Sequence, residues 1–122
     1  MPTSFTKRNL SASVDGQAIS VTATGTATAD LIHTAASGTA SLDEVFIYAT
    51  NRDPNGYSQV VTILHGGTNA ADEVKVAVPA QQGRLMIADG RLITNGKSIR
   101  AYTSSGTAAP SIDGFVNRIT ET

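Results

Sequence analysis

The chain has no cysteine, so disulfides, thiolate metal sites and cysteine nucleophiles are excluded. Tryptophan is absent too, and Phe and Tyr number three each. A glycosidase needs paired carboxylates, normally in a cleft lined by aromatic rings, and this chain has few rings to line one. Charge is sparse: 16% of residues are Asp, Glu, Lys or Arg, against about 25% in an ordinary domain. The net charge of −1 argues against a phosphate-backbone binder that works by bulk attraction. No run approaches the ~18 apolar residues of a transmembrane helix. The first residues, MPTSFTKR, place no apolar stretch after the basic pair and do not read as a secretory signal. Neither nucleic acid nor membrane is therefore expected as a partner.

What the chain does contain is small and β-prone. Ala, Thr, Ser and Gly make up 55 of its 122 residues. Thr, Val and Ile number 34, and branched side chains suit pleated, half-buried surfaces better than helices. Low charge also leaves surface free for a partner, because interface cores are depleted in Lys, Glu and Asp.

Alternation with period two dominates the chain. Asp15-Gly16 separates residues 10–14 from 18–21 and predicts a two-residue hairpin. Strands are predicted over 30–34, 43–50 (DEVFIYAT), 58–65 (SQVVTILH), 73–78 (EVKVAV), 84–88, 91–94, 97–103 (KSIRAYT) and 112–120 (IDGFVNRIT). The turn signals between them include Asn51-Arg52-Asp53-Pro54-Asn55-Gly56, Gly66-Gly67, Asp89-Gly90, Asn95-Gly96 and a small-residue loop over 104–111. Short strands with turns every ~8–12 residues predict an all-β, antiparallel sandwich in one domain, jelly-roll or immunoglobulin-like, with little or no helix. Residues 1–12 read as an N-terminal arm that orders on a partner, and 13–122 as the sandwich.

Sites of chemistry are hard to find. Asp43, Glu44, Asp72 and Glu73 offer four carboxylates, but neighbours along a strand point to opposite faces, so each pair gives one per face. A calcium ion takes about six to eight oxygens. The four read instead as solvated strand starts that discourage edge pairing. His33 and His65 stand alone, without zinc-type spacing, and read as packed or surface residues. There is no Gly-x-Ser-x-Gly elbow and no phosphate-binding loop. Arg8, Arg52, Arg84, Arg91, Arg100 and Arg118 are scattered singly, as interface anchors or carboxylate partners rather than a nucleic-acid stripe. The expectation is no catalytic residue, no metal and no cofactor.

The strands over 43–50 and 58–65 are apolar on both faces, and a small sandwich hides only one. The second face then calls for other copies of the chain, and a homotrimer is the expected assembly.

The segments His33-Thr34, Gly38-Thr39, DEVFIYATN (43–51), Gly66-Gly67-Thr68, Val78-Pro79-Ala80 and GFVNRIT (114–120) resemble small structural proteins of tailed bacteriophages. Within virions, a cysteine-free, Ala/Thr/Gly-rich β-protein is similar to capsid decoration, or cement, proteins. That resemblance implies a non-enzymatic protein made in the host cytoplasm. It would bind the major capsid protein on the outer shell, often as a trimer, and stabilise the particle. It carries over no catalytic residue. Thr3, Phe5, Lys7, Arg8 and Leu10 are the expected contacts to the shell or a neighbouring subunit, with Arg8 as polar anchor. Phe46, Tyr48 and Phe115 are expected in the core or a subunit interface. Deletion of residues 1–10 is expected to abolish shell binding and spare the fold. The alternative is a receptor- or glycan-binding module of a tail or head fibre, with Asp53, Asn55, Tyr57 and Tyr102 as candidates.

Overall fold

A computed structural model describes residues 3–104 and 109–121. Residues 1–2 of the expected arm and 105–108 of the expected loop lie outside them. Nine strands are formed among the described residues: β1 (Thr3–Asn9), β2 (Ile19–Ser20), β3 (Asp30–Thr34), β4 (Ser41–Thr50), β5 (Gln59–His65), β6 (Glu73–Val78), β7 (Leu85–Thr94), β8 (Ser98–Thr103) and β9 (Ser111–Glu121). Two short 3-10 turns, Thr26–Thr28 and Ala70–Asp72, are the helical content of these residues. One sheet runs β1-β9-β4-β7, with β2 also paired to β9; the other runs β3-β8-β5-β6. The strand pairs are antiparallel throughout.

Setting the two-residue β2 aside, the chain crosses between sheets at every step except the β5–β6 hairpin: β1, β4, β7 and β9 lie in one, β3, β5, β6 and β8 in the other. The partnerships β1–β9, β3–β8, β4–β7 and β5–β6 nest inside one another. That nesting is the jelly-roll arrangement, and it decides between the two sandwich types left open by the sequence. The core lies between the sheets. Val45, Ile47 and Ala49 of β4 meet Val61 and Ile63 of β5, Ile99 and Ala101 of β8, and Ile112 and Val116 of β9.

Two Asp-Gly pairs behave differently from the hairpins predicted. At Asp15-Gly16 both residues take positive φ, and the Gln17 amide donates to the Val14 carbonyl. The tight turn forms, but its flanks do not pair with each other; residues 19–20 join β9 instead. At Asp89-Gly90 the chain continues as one strand, β7, and Gly90 is the extra residue where the pairing to β4 slips between Val45 and Phe46. The two short strands predicted there are therefore one long, bulged strand.

The expected arm is also different. Residues Thr3–Asn9 pair with β9 from Thr3↔Glu121 to Asn9↔Phe115, as the edge strand of the chain's own sheet. Leu10, expected as a contact, is fully buried and belongs to the core. Deleting residues 1–10 would therefore damage the fold. Leu10→Ala is expected to cost about 2–3 kcal/mol in urea unfolding, near the low end for a buried leucine because an adjoining groove lets the site relax.

Candidate functional site

The second faces of β4 and β5 are largely covered by the chain itself, with Val60 of β5 left 39% exposed, so they do not by themselves demand a subunit. Alternation along β4 sends Val45, Ile47 and Ala49 inward and Phe46 and Tyr48 outward. Phe46 and Phe115, opposite one another in the β4–β9 ladder, stack outside the core with ring centroids 4.8 Å apart. The Lys7 ammonium sits 4.6 Å from the Phe115 ring centre. The Arg84 guanidinium lies 4.1 Å from the Tyr48 ring and pairs with Asp113 at 2.8 Å. Phe46, Tyr48 and Phe115 are thus half-buried surface residues and not core residues, with Tyr48 and Phe115 under the chain's own cations and Phe46 stacked on Phe115. On β5, Thr62 is closed over by Lys75, whose ammonium also donates to the Tyr102 hydroxyl at 3.2 Å. Long side chains shield apolar strand faces with their stems and keep their charges wet.

The sheet edges are less well covered. β3 is protected: the Ala12 amide donates to the Ile32 carbonyl, and the Thr34 amide donates to the Ser11 hydroxyl. β1 has β9 on one side and solvent on the other, and all seven of its residues are exposed. Thr3, Phe5, Lys7 and Arg8 therefore sit together on an open edge, with Phe5 71% exposed. Below the end of β1 lies a groove of about 850 Å³. Lys7, Arg8 and Arg118 supply its cationic groups, and Ser11, Ser13 and Ser37 supply hydroxyls. Among the described residues that line it there is no Asp or Glu.

The floor of the groove is a buried polar network. His33 from β3 and Arg118 from β9 converge on Asp43 of β4, which is wholly inaccessible to water. Arg118 donates to both carboxylate oxygens, at 2.8 and 3.0 Å. The Ser11 amide can only donate, so His33 Nδ1 accepts at 3.0 Å. The ring proton is therefore on Nε2 and is donated to Asp43 at 2.6 Å. Burial pushes the Asp43 carboxyl upward, and the Arg118 and His33 hydrogen bonds outweigh it, leaving the group below its ordinary value. The same pairing raises Arg118. Both His33 nitrogens and both Asp43 oxygens are used within the network, which pins one sheet to the other.

Asp43 is thus not the solvated strand start expected of it. Its spacing already held the signal, since it shares the inward phase of Val45, Ile47 and Ala49. Glu44 accepts from Asn117 on the outer face of the same strand. Asp72 caps the 3-10 turn before β6, where it accepts from the Asn69 amide, and Glu73 pairs with Lys75 at 3.0 Å. The four carboxylates are divided between two sheets and two faces and do not form one site. His65 donates to the Leu92 carbonyl at 2.9 Å, and burial holds its pKa below the usual imidazole value.

The glycan-module candidates do not form one site either. Asp53 is buried, and its carboxylate accepts from the Asn55 amide to close the loop. Asn51 fixes the same loop by donating to the Tyr57 and Val78 carbonyls. Tyr57 is exposed beside it, whereas Tyr102 lies on β8 opposite Thr62.

No protein family, curated protein or solved structure matches the chain.

Proposed function

We propose that the protein is a non-enzymatic structural protein of a phage virion: a capsid decoration protein that coats the outer shell as an oligomer and stabilises it. The observation that carries this reading is the open edge strand β1, with Phe5, Lys7 and Arg8 exposed along it. The polar cluster nearest that edge is consumed in holding the sheets together and offers no free base or nucleophile. The jelly roll also suits the role, being an architecture used by viral coat domains, although lectins and enzymes share it. The resemblance of DEVFIYATN and GFVNRIT to phage structural proteins supports a virion setting. A shell presents many equivalent sites, so modest contacts add up through multivalency, with copies of the chain and the major capsid protein as partners. A subunit that binds the finished shell stabilises it by mass action.

Electron cryomicroscopy of the intact particle tests this directly. Density for the jelly roll is expected over the capsid lattice, with β1 turned toward the shell or a neighbouring copy. Density confined to tail tips or fibres would overturn the decoration role in favour of the receptor-binding alternative.

A further inference from the structure

We infer that β1 is a docking strand for an extended, acidic polypeptide segment of a partner, which adds to the sheet edge and places carboxylates in the groove beneath. This rests on the reading of β1 as the contact edge and names what it contacts. An edge strand turns alternate backbone N–H and C=O groups away from its neighbour, and β1 offers seven exposed residues for such pairing.

The side chains set the polarity of the partner. Residues directly opposite in an antiparallel ladder share a face. Arg8 opposes Val116 and so lies on the inner side of the sheet, the side from which Arg118 reaches Asp43. Lys7 opposes Asn117 and lies on the outer side. An added strand therefore meets a cation whichever way its side chains alternate. One cation in the groove, Arg118, is neutralised by Asp43; Lys7 and Arg8 remain as the net charge, with no carboxylate among the described lining residues. A basic or a long apolar segment would leave those two charges unmatched. A segment alternating Glu or Asp with small residues matches both the charge and the small residues of the edge. Phe5 supplies an apolar anchor at the outer end.

The probe is a labelled peptide alternating Glu and Thr, with its Lys/Thr counterpart as control, added to the full chain. The acidic peptide is expected to bind, to protect Thr3–Asn9 amides from hydrogen exchange, and to lose affinity as salt is raised. Arg8→Glu is expected to weaken it about tenfold or more, while Lys75→Glu, on the outer face of the other sheet, leaves it unchanged. Equal binding of the basic peptide, or binding without protection of β1, would overturn the inference. Concentration-dependent protection of the same amides without any peptide would overturn it too, by making a second copy the occupant. If the acidic peptide fails while the protein still coats shells, the docking inference falls and the decoration role stands. If it binds while particles show no copies on the capsid, the reverse holds.

Discussion

Asp43→Ala should cost about 3–5 kcal/mol of folding stability, a large share of what a domain this size possesses. The substitution removes the acceptor from two donors at once. His33 is 1% exposed and keeps a buried N–H with nothing to receive it. Arg118 loses both of its carboxylate bonds at a site where its side chain is 19% exposed. Leaving a buried charge unmatched costs more than the intact pair contributes, because the pair itself was largely offset by desolvation. Replacing all three partners with apolar residues, as in His33→Leu, Asp43→Leu and Arg118→Met together, is therefore expected to cost less than Asp43→Ala alone. Urea unfolding of the wild type, the single variant and the triple variant measures this. A single variant that loses less than the triple would contradict it.

The same network sets an acid limit on the fold. The folded Asp43 carboxyl lies below its unfolded value of 3.8, so the unfolded chain takes up this proton first as pH falls. The stability it confers is complete above that value and disappears as pH drops through the lower, folded value. Asp43→Ala is expected to flatten that part of the pH profile while lowering the whole curve.

How much of this was readable beforehand depended on whether the cause was local. Alternation located β6, β8 and β9 almost residue for residue, and short apolar runs bounded by turn signals located β3, β4 and β5, because those cues are all local. The phase of Asp43 was equally visible, yet its burial makes sense only with His33 and Arg118 at hand, and those are 10 and 75 positions away. The edge strand β1 was illegible for a related reason. Thr3–Asn9 shows little inward apolar pattern, being exposed throughout, and becomes a strand because β9 offers a free edge beside it. At Gly90 a turn signal was present and real in its φ of 102°, but tertiary pairing to β4 used that freedom for a bulge. Composition singles out Thr3, Phe5, Lys7 and Arg8 as candidate contacts, and the structure leaves all four exposed on the β1 edge; Leu10 departs from them because its burial depends on the chain crossing from β1 to the β3 edge, where the Ala12 amide donates to the Ile32 carbonyl.

Gly114→Ala is the second large effect, expected at about 3–4 kcal/mol, and its cause is steric rather than electrostatic. Gly114 stands opposite Ile47 in the middle of the β4–β9 ladder, with φ at 157°. A Cβ built there collides with the carbonyl oxygen of Phe46 and lies 3.2 Å from the Ile47 Cα. These are backbone atoms of a central strand, so no side chain can swing aside to make room. Relief requires the ladder to part where Phe46 stacks on Phe115 and, four residues on, Arg118 reaches Asp43. Backbone strain and overpacking each cost about 1–3 kcal/mol, and here both apply. Gly38→Ala is the control, since Gly38 also has positive φ but nothing within 4 Å of the added carbon. The Gly38 variant should lose about 1 kcal/mol, and the Gly114 variant should melt roughly 10 °C lower than it. Equal melting temperatures would mean that the two central strands stand further apart than described. The glycine would then be free to change without disturbing either the stacked rings or the buried pair.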